Sequence, residues 1–286
     1  MIFSGGFCYA DNSMLPPETL PVLNKPLYAY RVLAKWISFF AFGLMSVILV
    51  ITVFPAMRLL LHPRERFQKY GRRFVSFSMR GFVSFMHLLR VVDIEPDNRE
   101  SYRHLSSKIV VANHPSLLDV TMLLSLIPNA DCIVNTRLNR NVIVKGVVRQ
   151  IYILNSLGFD GLTQACNESL RQGNCLIIFP EGTRTPRSGK IILRRGAARI
   201  AMASGCNVVP VCIGGTDKYG LGKKDPWTGF NSRERYVYSI SMRPEIDPEK
   251  YRNLPMPRAV RALTREMAAF LFPSKDAVII NAAEEK

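Results

Sequence analysis

The sequence predicts an α/β fold, with a largely parallel central sheet flanked by helices and an N-terminal membrane-binding helical segment. From residue 91 onward, short apolar runs alternate with helical segments, a pattern typical of parallel sheets. Before that point, residues 36–57 form 22 consecutive positions without a charged side chain, enough to cross a hydrocarbon layer of about 30 Å. We therefore divide the 286 residues into an N-terminal tail (1–30), a membrane-anchoring helical segment (31–90) and an α/β domain (91–286).

The uncharged stretch has basic residues on both sides. Arg31 and Lys35 precede it, and a heavier cluster follows it: Arg58, Arg64, Arg66, Lys69, Arg72 and Arg73. This asymmetry predicts that the rest of the chain stays in the cytoplasm. The stretch is either a single span with a short N-terminus outside, or a helical hairpin inserted from one face and turned back at Pro55 and Pro63. A buried helix of a soluble protein is the alternative to both.

A second helix, amphipathic in pattern, is predicted from Phe67 to Leu89. Its apolar residues recur at steps of three and four: Phe67, Tyr70, Phe74, Phe77, Phe85 and Leu88. The cations of this segment lie off that stripe: Lys69, Arg72, Arg73 and Arg80. Aromatic residues on one face and cations on the other suit the surface of a lipid bilayer. Packing of the aromatic face against the core of the α/β domain is an equal alternative.

The α/β domain is predicted to contain alternating strands and helices. The strands are residues 108–112, 131–135, 151–154, 175–179, 207–213 and 235–242, and the helices are residues 116–127, 140–149, 163–172, 191–204 and 258–271. Residues 214–233 include five glycines and are predicted to form a long polar loop. Ligands of such sheets bind at the carboxyl ends of the strands. Polar residues that directly follow a strand are therefore the candidates for a functional site.

The chain carries a formal net charge of +16, which predicts an anionic partner. Nucleic acid, anionic lipid and an acidic protein all fit that description. Because the sequence contains no nucleic-acid recognition module or basic–aromatic platform, we expect an anionic membrane surface and no nucleic acid. The six cysteines form no C-x-x-C pair, which favours free thiols in a reducing compartment and no metal site.

The segment from Asn113 to Asp119 follows the predicted strand 108–112 and carries a base with a carboxylate partner. A neutral imidazole such as that of His114 can accept a proton near pH 7. Ser116 is a plausible helix N-cap, which places Asp119 in the first turn, where its carboxylate can fix the imidazole tautomer. The expected chemistry is general-base catalysis on a hydroxyl or amine. Alternatively, Ser116 is a covalent nucleophile, or His114 and Asp119 only close a loop.

The segment from Phe179 to Arg184 follows the predicted strand 175–179, so we expect it at the same edge of the sheet. Gly182 lets a ligand approach the backbone, and Arg184 can bind phosphate or carboxylate oxygens through its fork of donors. Arg184 also opens a run of cations without an intervening acid: Arg187, Lys190, Arg194, Arg195 and Arg199. The later cations also fit a solvated basic face. Together the two segments predict a site that deprotonates an alcohol or amine and holds an anionic group beside it.

These segments resemble the glycerophospholipid acyltransferase superfamily, the relatives of 1-acylglycerol-3-phosphate acyltransferase. The first family motif, N-H-x-S-x-x-D, is complete at residues 113–119, and the third, F-P-E-G-T-R, is complete at residues 179–184. The fourth, an apolar strand with a proline, matches residues 208–211. Proline is disfavoured inside a central strand, so we expect Pro210 at a strand end or edge, where it either lines an acyl channel or is purely structural.

The resemblance implies that residues 91–286 are an acyltransferase domain, which transfers an acyl group from a thioester to a hydroxyl or amine of a lipid acceptor. It implies no metal, no cofactor and no covalent enzyme intermediate. The donor is acyl-CoA or acyl carrier protein. His114 would be the general base and Asp119 its partner. The implied acceptor contacts are Glu181, Gly182, Thr183 and Arg184, and further contacts to acceptor or donor fall to Asn113, Ser116, Arg137 and Pro210.

The second family motif departs from its usual pattern. Relatives that use acylglycerol phosphate have a lysine after the second strand and an arginine after the third, whereas this chain has Asn135 and Asn155 there. Arg137 or Arg149 is positioned nearby to compensate. Related bacterial enzymes serve other acceptors, including ornithine lipids and aryl polyene pigments, and the chain resembles these as well.

The expected setting is bacterial lipid biosynthesis at the inner membrane, with the catalytic domain on the cytoplasmic face. Two other functions remain compatible with the sequence. One is an acyl-thioester hydrolase that uses the same base on water. The other is a non-catalytic basic membrane-binding protein.

Overall fold

The protein is built around a central β-sheet. The computed structural model describes residues 22, 24–134, 153–154, 158–187, 190–273 and 278–280. The strands of the protein are β1 (Val92–Pro96), β2 (Ile109–Ala112), β3 (Ala130–Val134), β4 (Ile153–Leu154), β5 (Cys175–Ile178), β6 (Ile191–Leu193), β7 (Val208–Gly215), β8 (Tyr236–Met242) and β9 (Val278–Ile280). Seven form one sheet in the order β1-β8-β7-β2-β5-β3-β4, and β6 pairs with β9. Every neighbouring pair is parallel except β7 with β8, which confirms the predicted largely parallel sheet.

Helices cover both faces of this sheet and precede it. In chain order they are α1 (Lys25–Ile48), a π-helical turn (Leu49–Val53), α2 (Phe54–Leu60), α3 (Arg64–Leu88), α4 (Arg99–Arg103), α5 (Asp119–Leu126), α6 (Gly158–Arg171), α7 (Gly196–Ser204), a 3₁₀ turn (Pro248–Tyr251) and α8 (Met256–Leu271). Helix α1 begins inside the predicted tail because the Asn24 side chain caps it, accepting a hydrogen bond from the Leu27 amide at 3.0 Å.

The first three helices form an antiparallel hairpin. Near its open end, the Tyr30 hydroxyl donates to the Leu89 carbonyl at 3.2 Å. Near its closed end, the rings of Phe54 and Phe67 meet edge to face, with centroids 6.3 Å apart. The chain reverses at residues 61–63, so the turn lies at the second of the two predicted prolines. The first turns of α1 and the end of α3 therefore lie together at the open end of the hairpin.

The continuous helical stretch from Lys25 to Leu60 is, within the described residues, long and apolar enough to cross a membrane by length and composition. Much of its apolar surface remains exposed, at Phe40, Ile51 and Leu59 among others. Contiguous exposed apolar surface of this kind marks a surface that meets a protein or a membrane.

Helix α3 buries a face that only partly coincides with the predicted aromatic stripe. Its buried positions are Phe67, Gly71, Arg72, Val75, Ser76, Met79, Phe82, Val83 and Met86. Three members of the predicted aromatic stripe, Tyr70, Phe77 and Leu88, are exposed instead. Helix α3 therefore packs on the domain with one apolar side, as the second alternative predicts. Its other apolar side faces outward, and binding of that side to a lipid surface stays a prediction.

A buried ion pair joins α3 to the sheet. The Arg72 guanidinium binds the Asp131 carboxylate of β3 through Nε–Oδ1 at 2.6 Å and Nη2–Oδ2 at 3.0 Å, and the Ser169 hydroxyl also donates to Oδ2. Both charged side chains are buried. The sequence grouped Arg72 with the cations that suit a lipid surface. This is wrong for Arg72, which lies inside the domain, where a carboxylate balances its charge.

Two apolar cores sandwich the sheet. One core runs without interruption from the hairpin to the inner side of the strands and includes Phe54, Met86, Met122 and Tyr238. The other lies between the opposite side of the sheet and helices α6, α7 and α8. The hairpin is thus part of the domain's packing and not a separate attachment.

Several elements differ from the sequence prediction. Residues 191–204 form a strand, β6, and a helix, α7, because Arg194 breaks the segment by donating its amide to the Pro180 carbonyl at 2.8 Å. Strand β1 and helix α4 were not predicted. The predicted helix 140–149 and the positions Asn135, Arg137, Arg149 and Asn155 lie outside the described residues.

The prediction that Pro210 lies at a strand end or edge is wrong. Pro210 lies within β7, a central strand, opposite Val111 of β2. Its carbonyl accepts the Arg243 amide at 2.8 Å, just beyond the end of β8. Because the amide and carbonyl of one strand residue point to the same side, the missing N–H of Pro210 faces the place where the antiparallel ladder ends. The proline therefore removes little from the sheet.

Candidate active site

The sheet brings the two sequence segments together. Strand β2 ends at Ala112 and β5 at Ile178, and these strands are parallel neighbours. The segments that follow them therefore leave the same edge side by side. Asn113 fixes the direction of the first segment, because its amide both donates to the Ile213 carbonyl at 2.8 Å and accepts the Ile213 amide at 2.7 Å. Asn113 thus serves the backbone of the site.

His114 and Asp119 form a hydrogen-bonded pair. The imidazole Nδ1 lies 2.8 Å from Asp119 Oδ2. Asp119 is the first residue of α5, as predicted, and is fully buried, whereas the imidazole keeps 18% of its side-chain surface exposed. Because a carboxylate only accepts hydrogen bonds, Nδ1 carries the proton, and Nε2 is the nitrogen free to accept another.

Ser116 orients the carboxylate. Its amide donates to Asp119 Oδ2 at 2.7 Å and its hydroxyl donates to Oδ1 at 2.6 Å. Helix α5 begins at Asp119 with Leu118 as N-cap, so Ser116 is not the cap residue. Its Oγ is buried and committed to Asp119, an arrangement that suits holding the carboxylate in place and does not suit nucleophilic attack.

Phe179 and Glu181 hold His114 from the neighbouring strand. The Phe179 ring stacks on the imidazole, with centroids 4.2 Å apart and planes at 25°. Glu181 Oε1 accepts the His114 amide at 3.0 Å and the Thr185 hydroxyl at 2.6 Å, and the Thr185 amide donates to the His114 carbonyl at 2.7 Å. The ring of His114 is thus held by stacking and by the hydrogen bond at Nδ1, and its backbone is held by Glu181 and Thr185.

Glu181 is itself buried, with 4% of its surface exposed. Burial raises the pKa of its carboxyl above the ordinary value, although the hydrogen bonds from Thr185 and His114 work in the opposite direction. Its second oxygen, Oε2, is buried without a hydrogen-bond partner among the described residues. The structure therefore uses Glu181 to brace His114, a role that the motif pattern alone did not indicate.

The turn after Glu181 requires glycine. Gly182 has φ +63°, and a Cβ at this position would lie 2.6 Å from Nε of the Arg194 side chain. Arg194 therefore packs directly against the turn. Thr183 is exposed beside it, so the turn presents backbone and a hydroxyl to whatever occupies the site.

Arg184 is half-buried and points its Nη1 at two carbonyl oxygens, Leu221 at 2.9 Å and Gly222 at 2.7 Å. Carbonyl groups orient the guanidinium but do not neutralise it. In the part of the chain that the structure describes, no carboxylate forms an ion pair with Arg184. Its positive charge therefore remains available to an anionic group next to His114.

The loop that holds Arg184 lies within residues 216–235 and was predicted only as a polar loop. Arg187 secures it with hydrogen bonds to both oxygens of Asp225, each 2.8 Å, and one to Asp217 at 2.7 Å. The Leu221 carbonyl also accepts the Leu117 amide at 3.0 Å. The loop thus connects both motif segments.

The same loop rests on α1. Lys35, which is buried, donates from Nζ to the Trp227 carbonyl at 2.7 Å and to the Gly229 carbonyl at 2.5 Å. The Phe230 amide donates to the Tyr28 hydroxyl at 3.3 Å. Nothing in the sequence pattern of either segment indicated this contact, because about 190 residues separate the partners.

Of the remaining predicted site residues, Pro210 is buried in β7 and Arg137 lies outside the described residues. Among the described residues no group of three or more metal-binding side chains is close enough to hold an ion. Sequence reasoning missed Thr185, Asp225 and Tyr238, which contact the site or its loop and belong to none of the motif positions. Arg187 was named only as a member of the cation run.

The region that contains this site matches a family model and several known proteins. A family model described as "Acyltransferase" matches residues 93–214, which include both motif segments. The chain is 28% identical over 161 residues to the chloroplastic 1-acyl-sn-glycerol-3-phosphate acyltransferase LPAT1 of Arabidopsis thaliana, covering 53% of this chain and 44% of that protein. It is 29% identical over 156 residues to the 1-acyl-sn-glycerol-3-phosphate acyltransferase of Helicobacter pylori, covering 52% and 65%. The chain thus spans about half the length of the curated relatives it matches.

A solved structure agrees at the level of the fold. The crystal structure of the 1-acyl-sn-glycerophosphate acyltransferase PlsC from Thermotoga maritima matches with a TM-score of 0.57 at 20% identity, covering 83% of this chain and 96% of that one. The match extends beyond the region that the family model covers. Both motifs are intact at one edge of the sheet, and the region that carries them, residues 93–214, matches the Acyltransferase family model.

Proposed function

We propose that the chain is a membrane-bound acyltransferase that moves a fatty acyl group from a thioester to a hydroxyl or amine of a lipid acceptor. The observation that carries this proposal is the 2.8 Å contact between His114 Nδ1 and the fully buried Asp119. It leaves a partly exposed imidazole with one basic nitrogen, near Arg184, which has no carboxylate partner among the residues that the structure describes. Such a pair suits deprotonation of a substrate that also bears a negative charge.

In the proposed reaction, His114 Nε2 takes the proton from the acceptor as its oxygen or nitrogen attacks the thioester carbonyl. Asp119 stabilises the imidazolium that forms. Collapse of the tetrahedral intermediate breaks the carbon–sulfur bond, and the imidazolium returns its proton to the departing thiolate. The products are the acylated lipid and a free thiol, and the enzyme is regenerated without a cofactor or metal.

The acceptor is proposed to be a lipid with an anionic headgroup, bound at the turn formed by Glu181, Gly182, Thr183 and Arg184. Arg184 supplies the positive charge, and Gly182 permits close approach to the backbone. The relatives are named for 1-acyl-sn-glycerol-3-phosphate, which makes this lysolipid the first acceptor to test. The donor is acyl-CoA or acyl carrier protein.

The exposed apolar surface of the hairpin supports a membrane location. Because the helices are antiparallel and the chain enters and leaves the hairpin at its open end, we propose that the hairpin inserts from one face, with the catalytic domain on the cytoplasmic side of a bacterial inner membrane. The +16 charge suits the anionic surface of that membrane.

The test is an acyl-transfer assay on the full chain in detergent, with acyl-CoA or acyl carrier protein as donor and lysophosphatidic acid as acceptor. His114→Ala is expected to lower kcat by about 10²–10⁴-fold because the general base is lost. His104→Ala is the matched control, since that imidazole is exposed and contacts only Glu100; it should keep full activity.

Three results would contradict the proposal. Release of free fatty acid at the same rate with and without acceptor would indicate a thioester hydrolase. An active His114→Ala variant would remove the imidazole from the mechanism. Membrane binding without turnover of any lysolipid or thioester would indicate a non-catalytic binding protein.

A further inference from the structure

A buried polar network continues behind Asp119, away from His114. The Tyr238 hydroxyl of β8 lies 2.7 Å from Ser116 Oγ, and the Lys218 ammonium lies 4.6 Å from the centroid of the Tyr238 ring. All of these side chains are buried. Tyr238 and Lys218 belong to none of the family motifs and have no part in the proposed reaction.

The direction of each hydrogen bond in this network follows from its partners. Ser116 Oγ accepts the Leu118 amide at 3.2 Å, and its own proton goes to Asp119, because an ionised carboxylate only accepts. The Tyr238 hydroxyl must therefore donate to Ser116. Tyr238 thus fixes the Ser116 rotamer whose proton points at Asp119.

Lys218 supplies a buried positive charge on the far side of Tyr238. Its Nζ donates to the carbonyls of Gly214 at 3.3 Å, Val237 at 2.8 Å and Thr216, and no carboxylate contacts it within the described residues. The ammonium over the Tyr238 ring is a cation–π contact, which polarises the hydroxyl toward donation.

Burial lowers the pKa of Lys218 to about 8, opposed by the negative charges of Asp119, Asp217 and Glu234 in that order. The ammonium therefore remains predominantly protonated at neutral pH. Asp119 is the carboxylate that favours it most, although the two side chains do not touch. A buried carboxylate and a buried ammonium thus compensate each other across Tyr238.

We propose that Tyr238 and Lys218 are positioning residues, which act through Ser116 to keep the Asp119 carboxylate aimed at His114 Nδ1. This inference rests on the proposed function for its kinetic consequence. Its structural consequence does not: the imidazole should be held in the single tautomer with the proton on Nδ1, with or without substrate.

The test uses Tyr238→Phe and Lys218→Met in the full chain in detergent. Tyr238→Phe deletes one donor, so we expect kcat to fall about three- to tenfold with KM unchanged. Lys218→Met removes the charge and should lower kcat further. In ¹⁵N spectra of histidine-labelled protein, the His114 signals should change from one tautomer in the wild type to a mixture in both variants.

Tyr236→Phe is the matched control. Tyr236 lies two positions earlier on the same strand, is equally buried, and donates its hydroxyl to the Tyr219 carbonyl at 2.6 Å. Because Tyr219 lies in the loop that orients Arg184, loss of the Tyr236 hydroxyl should reduce thermal stability and raise KM for the acceptor but leave kcat and the His114 tautomer unchanged. A purely structural role for Tyr238 predicts that the two variants behave alike.

Wild-type kcat and a single His114 tautomer in Tyr238→Phe would overturn the inference, even if Lys218→Met failed to fold. A fall in kcat of the same size in Tyr236→Phe would overturn it as well. If the wild type transferred no acyl group, the proposed function would fail, whereas the tautomer spectra would still decide the positioning role.

Discussion

Two aspartates of this protein are buried to the same extent but have opposite surroundings. Asp131 is 1% exposed and Asp119 is 0% exposed, and each accepts a hydrogen bond from a serine hydroxyl, of Ser169 and Ser116 respectively. Asp131 has a permanent cation in contact, since Arg72 binds both of its oxygens. Asp119 has no permanent cation in contact within the described part of the chain and instead accepts a hydrogen bond from the imidazole of His114.

This difference distinguishes a structural ion pair, Arg72–Asp131, from the proposed catalytic pair, His114–Asp119. An arginine cannot be deprotonated in a protein, so the charge of Asp131 is balanced at all times and the pair only connects α3 to β3. The compensating contact of Asp119 forms when His114 gains a proton. In the proposed mechanism, the buried carboxylate beside the base stabilises the imidazolium that forms. This predicts different effects of the same substitution at the two aspartates.

The largest effect is expected for Asp119→Asn. An amide can present a donor to Nδ1 and so favour the wrong imidazole tautomer, which should lower kcat about 10³–10⁴-fold while the fold is retained. Steady-state acyl-transfer kinetics measure this, with circular dichroism to confirm folding. Asp131→Asn is the control and should keep kcat within a few-fold in the folded protein. Equal losses of kcat in the two variants would abolish the distinction.

The next effect is on stability, at Asp131. Asp131→Ala leaves the Arg72 charge buried and unpaired, which should cost about 3–5 kcal/mol of unfolding free energy. Replacing both partners, as in Arg72→Met with Asp131→Leu, should recover most of that loss because no buried charge remains. Denaturant unfolding in detergent gives both values. A double variant no more stable than Asp131→Ala would show that the ion pair does more than connect α3 to β3.

The smallest effect concerns the pH dependence of stability at Glu181. This carboxylate is also buried, and no cation contacts it among the described residues. Since burial raises its pKa, the folded chain holds this proton more tightly than the unfolded chain does. Its contribution to stability therefore falls as pH rises from the unfolded pKa through the folded one. Glu181→Gln keeps an oxygen for the His114 and Thr185 donors and removes the titration.

We therefore expect the unfolding temperature of Glu181→Gln to gain on that of the wild type as pH rises from the acidic range toward neutrality. Thermal unfolding across that range measures the difference between the two proteins. A difference that does not vary with pH would show that Glu181 has the same proton affinity in the folded and unfolded chains.

The sheet and the pairing of the two motif segments could be predicted from sequence because both depend on local patterns. Apolar runs define β2 and β5, and parallel strands present their carboxyl ends at one edge, so His114 and Arg184 had to be neighbours. The two-part nature of residues 191–204 could not be read in this way. An apolar run followed by small residues fits one helix, and only the contact between Arg194 and Pro180 divides it.

The partners of the site residues were beyond sequence reasoning for a different reason. Arg72 looks like any cation on a basic helix until the fold places Asp131 beside it. Lys218 and Tyr238 reach Asp119 from a loop and a strand that lie about 100 residues or more further along the chain. Such contacts depend on tertiary packing, which leaves no periodic trace in the sequence.

The seat of the Arg184 loop on α1 has a practical consequence. Lys35 and Tyr28 hold the loop at Trp227, Gly229 and Phe230. Deleting the first helix to obtain a water-soluble fragment would remove this support and release Arg184, the guanidinium proposed to bind the acceptor. Solubilising this protein by truncation and preserving the proposed headgroup site are therefore conflicting aims, and replacing outward apolar residues such as Phe40 or Leu59 is the strategy compatible with both.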